Sequence, residues 1–206
     1  MLNGDQLSFR YHSNADWVFY LASIALVPGQ ITGLSGPSGC GKTTFGKIMS
    51  GFFNPVSGSI LVDGKTLPAK GYCPVQMILQ NPELAVNPKW RIRKIIQEGN
   101  SHADALIKEL GLDPEWLTRF PHELSGGELQ RIIFARALGP GTRYLIADEI
   151  STMLDAVTQA QIWNMLLKLA KKKNIGVLAI SHDSALLDRT CDRVLDMKAL
   201  QESLPK

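Results

Sequence analysis

Gly36-Pro37-Ser38-Gly39-Cys40-Gly41-Lys42-Thr43 has the spacing G-x-x-x-x-G-K-T. The apolar stretch Gln30-Ile31-Thr32-Gly33-Leu34 reads as a strand running into it, and Thr44-Phe45-Gly46-Lys47-Ile48-Met49 as a helix leaving it. A strand, a glycine-rich turn of this spacing and a helix together make a phosphate cradle. The glycines let the backbone close around an anion and point successive N–H groups at its oxygens. The helix N-terminus adds a favourable field. Lys42 can neutralise charge on the β- and γ-phosphates, and the Thr43 hydroxyl can ligate Mg²⁺. An ordinary glycine-rich turn has no need of the terminal Lys-Thr pair. Residues Gly36, Pro37, Ser38, Gly39, Cys40, Gly41, Lys42, Thr43 and Thr44 therefore predict a site for a nucleoside triphosphate with Mg²⁺.

A second acidic site narrows the chemistry. Tyr144-Leu145-Ile146-Ala147 is an apolar strand that ends in the adjacent carboxylates Asp148 and Glu149. Asp148 can hold Mg²⁺ directly or through water, and Glu149 can orient or deprotonate a water for in-line attack on the γ-phosphate. The pair taken alone could also be a solvated strand end. Beside a phosphate cradle, a water-activating carboxylate next to a metal ligand favours hydrolysis over transfer to a second substrate.

Composition bounds the rest. With 206 residues, 45% hydrophobic and 20% charged, the chain suits one well-buried core with a small subdomain and excludes a disordered or fibrous protein. Lys+Arg 22 against Asp+Glu 19 gives a net charge of +3, too small to imply a nucleic-acid partner. Cys40, Cys73 and Cys191 are scattered, which argues against a disulfide framework or a zinc site and fits a reducing compartment. The start of the chain lacks the pattern of a signal peptide, and no apolar run approaches the ~20 residues of a membrane span.

Further apolar runs read as buried strands: Ser59-Ile60-Leu61-Val62, Gly176-Val177-Leu178-Ala179-Ile180 and Val194-Leu195-Asp196-Met197. Runs without polar alternation suit a parallel sheet covered on both faces. Ile162, Trp163, Met165, Leu166 and Leu169 form a helical stripe, and Lys171, Lys172 and Lys173 suit the C-terminal end of that helix. Alternating strands and helices indicate an α/β core. From Asn81 to Leu124 no strand is evident, and prolines punctuate amphipathic pieces, so a helical insertion is expected there.

Leu124-Ser125-Gly126-Gly127-Glu128-Leu129-Gln130-Arg131, placed ahead of the Asp148-Glu149 strand, resembles the signature motif of the ATP-binding-cassette (ABC) ATPases. Ser125 and two glycines before a helix make another anion-binding terminus, and Ser125 with Glu128 also forms a capping box; the two readings are compatible. Other positions fall into register with the family. Gln80 resembles the Q-loop glutamine, which touches Mg²⁺ and relays nucleotide state to the helical subdomain. His182 resembles the switch histidine on the γ-phosphate, Ser151 to Asp155 the D-loop, and Tyr11 the aromatic residue that stacks on adenine. Alone, Gln80 could be a surface residue, His182 a strand-end core histidine, and Tyr11 core packing beside Phe9.

The resemblance implies an α/β fold: a P-loop NTPase (RecA-like) parallel-sheet core with an antiparallel β N-terminal part and a small inserted helical subdomain. It implies one domain over 1–206, with the core in 1–80 and 126–206 and the subdomain in 81–125. Glu149 and His182 would be catalytic, with Thr43, Gln80 and Asp148 at Mg²⁺. Two cassettes would pair head to tail, as a homodimer or with a paralogue, so that Ser125, Gly126, Gly127, Glu128 and Asp155 serve the partner's ATP. Two transmembrane permease subunits and an extracytoplasmic solute-binding protein would complete the system, with this chain peripheral on the cytoplasmic face of the membrane and no direct nucleic-acid contact.

Two positions depart from the family pattern: Ile150 stands where proline usually follows the glutamate, and Met153 replaces a small D-loop residue. Neither removes a chemical group. Gln80-Asn81-Pro82 with Asn87-Pro88, Pro121 through Gly127, Asp148 through Asp155 and Thr158 through Trp163 resemble the peptide/nickel importer branch. The chain ends at Lys206, soon after His182, without the extension of many peptide cassettes, which leaves nickel or metallophore import open. An exporter subunit, or a non-transport ATPase acting on nucleic acid or ribosomes, is the alternative class.

Overall fold

The computed structural model describes residues 1–101, 103–152 and 154–200. Strands β1 (Leu2–Phe9), β2 (Phe19–Leu26), β4 (Ser57–Val62) and β5 (Lys65–Thr66) form a four-stranded sheet in the order β2-β1-β4-β5. Its pairings are antiparallel. Strands β3 (Ile31–Ser35), β6 (Val75–Ile78), β7 (Tyr144–Asp148), β8 (Gly176–Ile180) and β9 (Arg193–Asp196) form a parallel five-stranded sheet in the order β6-β7-β8-β3-β9.

Helix α1 (Lys42–Met49) lies between the sheets. Its Phe45, Ile48 and Met49 are fully buried among Leu2, Leu7 and Phe19 on one side and Ile146, Leu178 and Ile180 on the other. Burial of each such side chain favours folding by about 1.5–3 kcal/mol. Gly46 sets the approach of α1 to the parallel sheet, because a Cβ there would sit 2.9 Å from Ile180 Cδ1 and 3.0 Å from Ile146 Cγ2. The opposite face of the parallel sheet is covered by a second cluster. It includes Leu145, Ala147, Val177 and Ala179 together with Ile132, Ile133 and Phe134 of α4 (Gly126–Ala137) and Ile162, Leu166 and Leu169 of α5 (Ala156–Lys173). Successive residues of β7 thus enter opposite cores, which accounts for its unbroken apolar run.

Residues 81–125 hold 3₁₀ turns, α2 (Ile92–Gly99) and α3 (Asp104–Glu109), with no strand among the described residues. Ile92, Ile95 and Ile96 bury one stripe of α2 against α4. The sequence expectation fails for Ser59–Val62, which is not a strand of the parallel sheet. It pairs antiparallel with β1, Ile60 opposite Gly4 and Val62 opposite Leu2, and of its four residues only Val62 is buried. A short apolar run does not by itself distinguish a two-sided from a one-sided strand. Lys171, Lys172 and Lys173 occupy the last turn of α5, ahead of Asn174 in the left-handed conformation. Among the described residues no helix is long and apolar enough to cross a membrane.

In the parallel sheet, β6, β7, β8 and β3 are consecutive neighbours and point the same way. The segments after their C-terminal ends carry Gln80, Glu149, His182 and Gly36, so chemistry collects along one edge, as is general for open α/β sheets.

Candidate nucleotide site

The P-loop runs from β3 into α1 through glycines that no other residue could replace without strain. Gly36, Gly39 and Gly41 have φ of 147°, 80° and 97°. A Cβ on Gly41 would also meet Val18 Cγ1 at 2.7 Å, so Val18, unremarkable in the sequence, seals the outside of the loop. Gly41 caps α1 without any side-chain hydrogen bond, which leaves the first-turn N–H groups to serve an anion. Lys42 is buried, and its Nζ donates to the carbonyls of Gly36 at 2.7 Å and Pro37 at 3.0 Å. The ammonium is therefore held over the cradle by the loop's own backbone. Cys40 Sγ stands 3.9 Å from the same Nζ.

Thr43 and Asp148 meet across the fold: Thr43 Oγ1 donates to Asp148 Oδ1 at 3.1 Å. Burial pushes the Asp148 carboxyl above its ordinary range, and the Glu149 charge adds to the rise; the Thr43 hydrogen bond, Lys47 and Lys42 oppose it. Among the described residues no three His, Cys, Asp or Glu side chains converge into a self-sufficient metal cage. One hydroxyl and one carboxylate at the mouth of a phosphate cradle instead fit Mg²⁺, a hard ion that keeps waters and shares phosphate oxygens.

Glu149 follows Asp148 in a left-handed turn at φ 48°, an uncommon conformation for a non-glycine residue. Its N–H is fixed by the Ile180 carbonyl at 2.9 Å. One carboxylate oxygen lies 3.2 Å from His182 Nδ1, and the other accepts from Thr152 Oγ1 at 3.3 Å. Thr152 Oγ1 also donates to the Glu149 carbonyl at 3.0 Å. The His182 side chain is 53% exposed and is no core histidine. Ile150 is buried in the core cluster, so an apolar side chain fills the place where the family carries proline. Ser151 behind it accepts from Trp163 Nε1 at 3.0 Å, which ties the turn to α5. Met153 lies outside the described residues.

Tyr11 is 56% exposed, against a core-packing role. Its hydroxyl is 2.8 Å from Thr44 Oγ1, and its ring meets Phe9 and Phe53 edge-on at centroid distances of 5.1 and 6.2 Å. The aromatic ring is thus anchored beside the first turn of α1.

The signature residues gather elsewhere. Ser125, Gly126, Gly127, Glu128 and Asp155 line a cleft of about 450 Å³ with Leu154, and no P-loop residue borders it. The capping box is present: Ser125 N–H donates to Glu128 Oε2 at 2.7 Å, and Glu128 N–H to Ser125 Oγ at 3.4 Å. Asp155 caps α5 by accepting from the N–H groups of Val157 and Thr158, each at 3.0 Å, and from Thr158 Oγ1 at 2.6 Å. The Thr158 hydroxyl bond, followed by its backbone N–H, holds the Asp155 carboxyl below its ordinary range. Gln80 borders a space that shares Gly126 and Leu154 with the signature cleft. This space, about 240 Å³, is also lined by Gln130 and Ile150. Thr152, Thr158 and Val18 carry no chemistry-bearing spacing of their own, and only the folded contacts single them out.

The sequence pattern of the family described as ABC transporter matches residues 21–152. The chain belongs to the ABC transporter family. It is 35% identical to the nickel import ATP-binding protein NikE of Rhodospirillum rubrum, over 94% of this chain and 77% of NikE. It is 36% identical to the oligopeptide transport ATP-binding protein OppF of Streptococcus mutans, over 84% of this chain but only 62% of OppF. The fold superposes on the dimeric ATP-binding cassette MJ0796, bound to ADP and Pi, with a TM-score of 0.79 at 20% identity, covering 98% of this chain and 94% of that one. The relatives named here are ATP-binding proteins, and this chain shares the fold of the cassette that holds ADP and Pi.

Proposed function

We propose that this chain is the ATP-hydrolysing subunit of a multi-subunit ABC importer for nickel, metal-chelate or peptide substrates. The observation that carries hydrolysis is the placement of Glu149: next to the Thr43–Asp148 pair, with one carboxylate oxygen against His182 and the other on Thr152. The name of NikE supports import and nickel, and that of OppF supports peptide transport.

The P-loop N–H groups and Lys42 bind the phosphates, while Tyr11 offers its ring to the adenine. Thr43 and Asp148, with Gln80, would hold Mg²⁺, whose charge would offset that of the phosphates. Glu149 accepts a proton from the attacking water and aims it, and His182 both steadies that carboxylate and reaches toward the γ-phosphate. The cleft of Ser125, Gly126, Gly127, Glu128 and Asp155 shares no residue with the P-loop, which supports its use by a second cassette, a copy or a paralogue. Each ATP would then lie between one cassette's P-loop and the other's signature. Closure on ATP and release after hydrolysis would drive two permease subunits, fed by an extracytoplasmic binding protein, with the cassette on the cytoplasmic face.

Affinity purification of tagged Glu149→Gln protein with ATP from detergent-solubilised native membranes tests the assignment. Recovery of multi-span permeases with a second cassette supports it, and the associated binding protein points to the solute. Recovery of ribosomal or DNA-repair proteins without a permease contradicts it.

A further inference from the structure

Helix α4 is a wall shared by two clefts. Its Ser125, Gly126, Gly127 and Glu128 face the signature cleft, whereas Gly126, Leu129 and Gln130 face the smaller cleft bounded by Gln80, Asn81, Pro82 and Glu83. Gln130 is one helical turn along from Gly126 and is 2% exposed. Its Nε2 is fully buried and has no hydrogen-bond partner among the described residues. An unpaired buried amide is costly, so one kept in a native structure calls for an explanation, such as an acceptor supplied in another state.

The surroundings indicate where the missing acceptor comes from. Ile150, Leu124, Leu129 and Leu154 make the apolar part of the cleft, so they offer the amide no side-chain acceptor. The polar part is the segment from Gln80 to Glu83, which follows β6 and is exposed or half-buried throughout. Gln80 is also the residue assigned above to Mg²⁺, and the inference rests on that assignment. Were Gln80 to turn to the metal, its segment would move relative to α4, and Gln130 is the unpaired buried donor on the α4 wall of the cleft they share.

We propose that Gln130 is a positioning residue that links the Gln80–Glu83 segment to the signature helix. Its amide takes a main-chain acceptor from that segment in the nucleotide-bound state and so sets the placement of Ser125, Gly126 and Gly127. It touches neither ATP nor the metal. Its effect passes through α4, whose N-terminal turn is stiffened by the Ser125–Glu128 capping box.

Hydrogen–deuterium exchange on the full chain, with and without Mg²⁺ and ATP, tests this in wild type, Gln130→Leu and Gln130→Met. In wild type, nucleotide slows exchange at residues 80–85 and at 126–131. In both variants the slowing at 80–85 persists, while that at 126–131 shrinks about tenfold, the scale of one buried hydrogen bond. Without nucleotide neither variant melts below wild type, because no bond has been removed. Full slowing at 126–131 in both variants, or in wild type slowing at 80–85 alone, overturns the link. A nucleotide-free loss of stability shared by both variants also overturns it, since the amide would then be an ordinary structural donor. A loss seen only with Leu reflects its shape, and the Met variant's exchange then decides. No slowing anywhere in wild type means that the nucleotide assignment itself is wrong, and the link fails with it.

Discussion

Thr152 Oγ1 lies 3.3 Å from Glu149 Oε2 and 3.0 Å from the Glu149 carbonyl oxygen, so a single hydroxyl steadies both the carboxylate and the left-handed turn that presents it. With His182 on the other oxygen, the carboxylate is held from two sides. Thr152→Val keeps the shape and removes the hydroxyl. The expected result is a fall in kcat of about tenfold, the size of one hydrogen bond to a charged group, with ATP affinity unchanged. Phosphate-release kinetics beside a direct binding measurement check it; an equal loss of affinity would make Thr152 a part of the binding site instead.

Gly127 and Thr158 are packed so closely that a Cβ on Gly127 would lie 2.5 Å from Thr158 Cγ2. Gly127→Ala is therefore expected to destabilise the chain by about 1 kcal/mol, overpacking outweighing alanine's better helix propensity. Thr158→Ser removes the methyl and keeps the hydroxyl that bonds Asp155. In that background the same Gly127→Ala change should be neutral or stabilising. A double-mutant cycle by urea unfolding measures the coupling, and additive effects would contradict the contact.

Asp155 gives a pH signature. The Thr158 hydroxyl bond holds its carboxyl below the ordinary 3.8, so the folded state favours the ionised form. The resulting stability is fully present above pH 3.8 and is lost as pH falls through the lower folded-state value. Asp155→Ala should thus unfold more easily than wild type at pH 7, with the difference narrowing only below pH 3.8. Urea midpoints of both proteins across that range decide it; a gap that closes well above pH 3.8 would contradict the assigned contact.

The parallel core was legible because β7 and β8 are apolar on both faces, and the phosphate cradle because its glycines and its Lys-Thr pair occur at fixed spacing. The strands β1 and β2 were not delimited, since Asn3, Asp5 and Gln6 interrupt the first and both carry irregular register. Ser59–Val62 was placed in the wrong sheet, since its one-sided burial depends on pairing with β1. At the site, residues that offer a charge or a phosphate-binding N–H announced themselves. Thr152 and Thr158 act on other side chains, and no spacing rule marks a threonine hydroxyl that happens to reach a glutamate.

The central claim is that ATP bound at the P-loop is hydrolysed through Glu149. Phosphate release and ATP affinity measured together for wild type, Glu149→Gln and Lys42→Ala test it most directly. The account predicts that Glu149→Gln binds ATP as wild type does but turns over at least about 100-fold more slowly, as expected for loss of a general base, while Lys42→Ala loses nucleotide affinity. Wild-type turnover in Glu149→Gln, or tight ATP binding in Lys42→Ala, would contradict it.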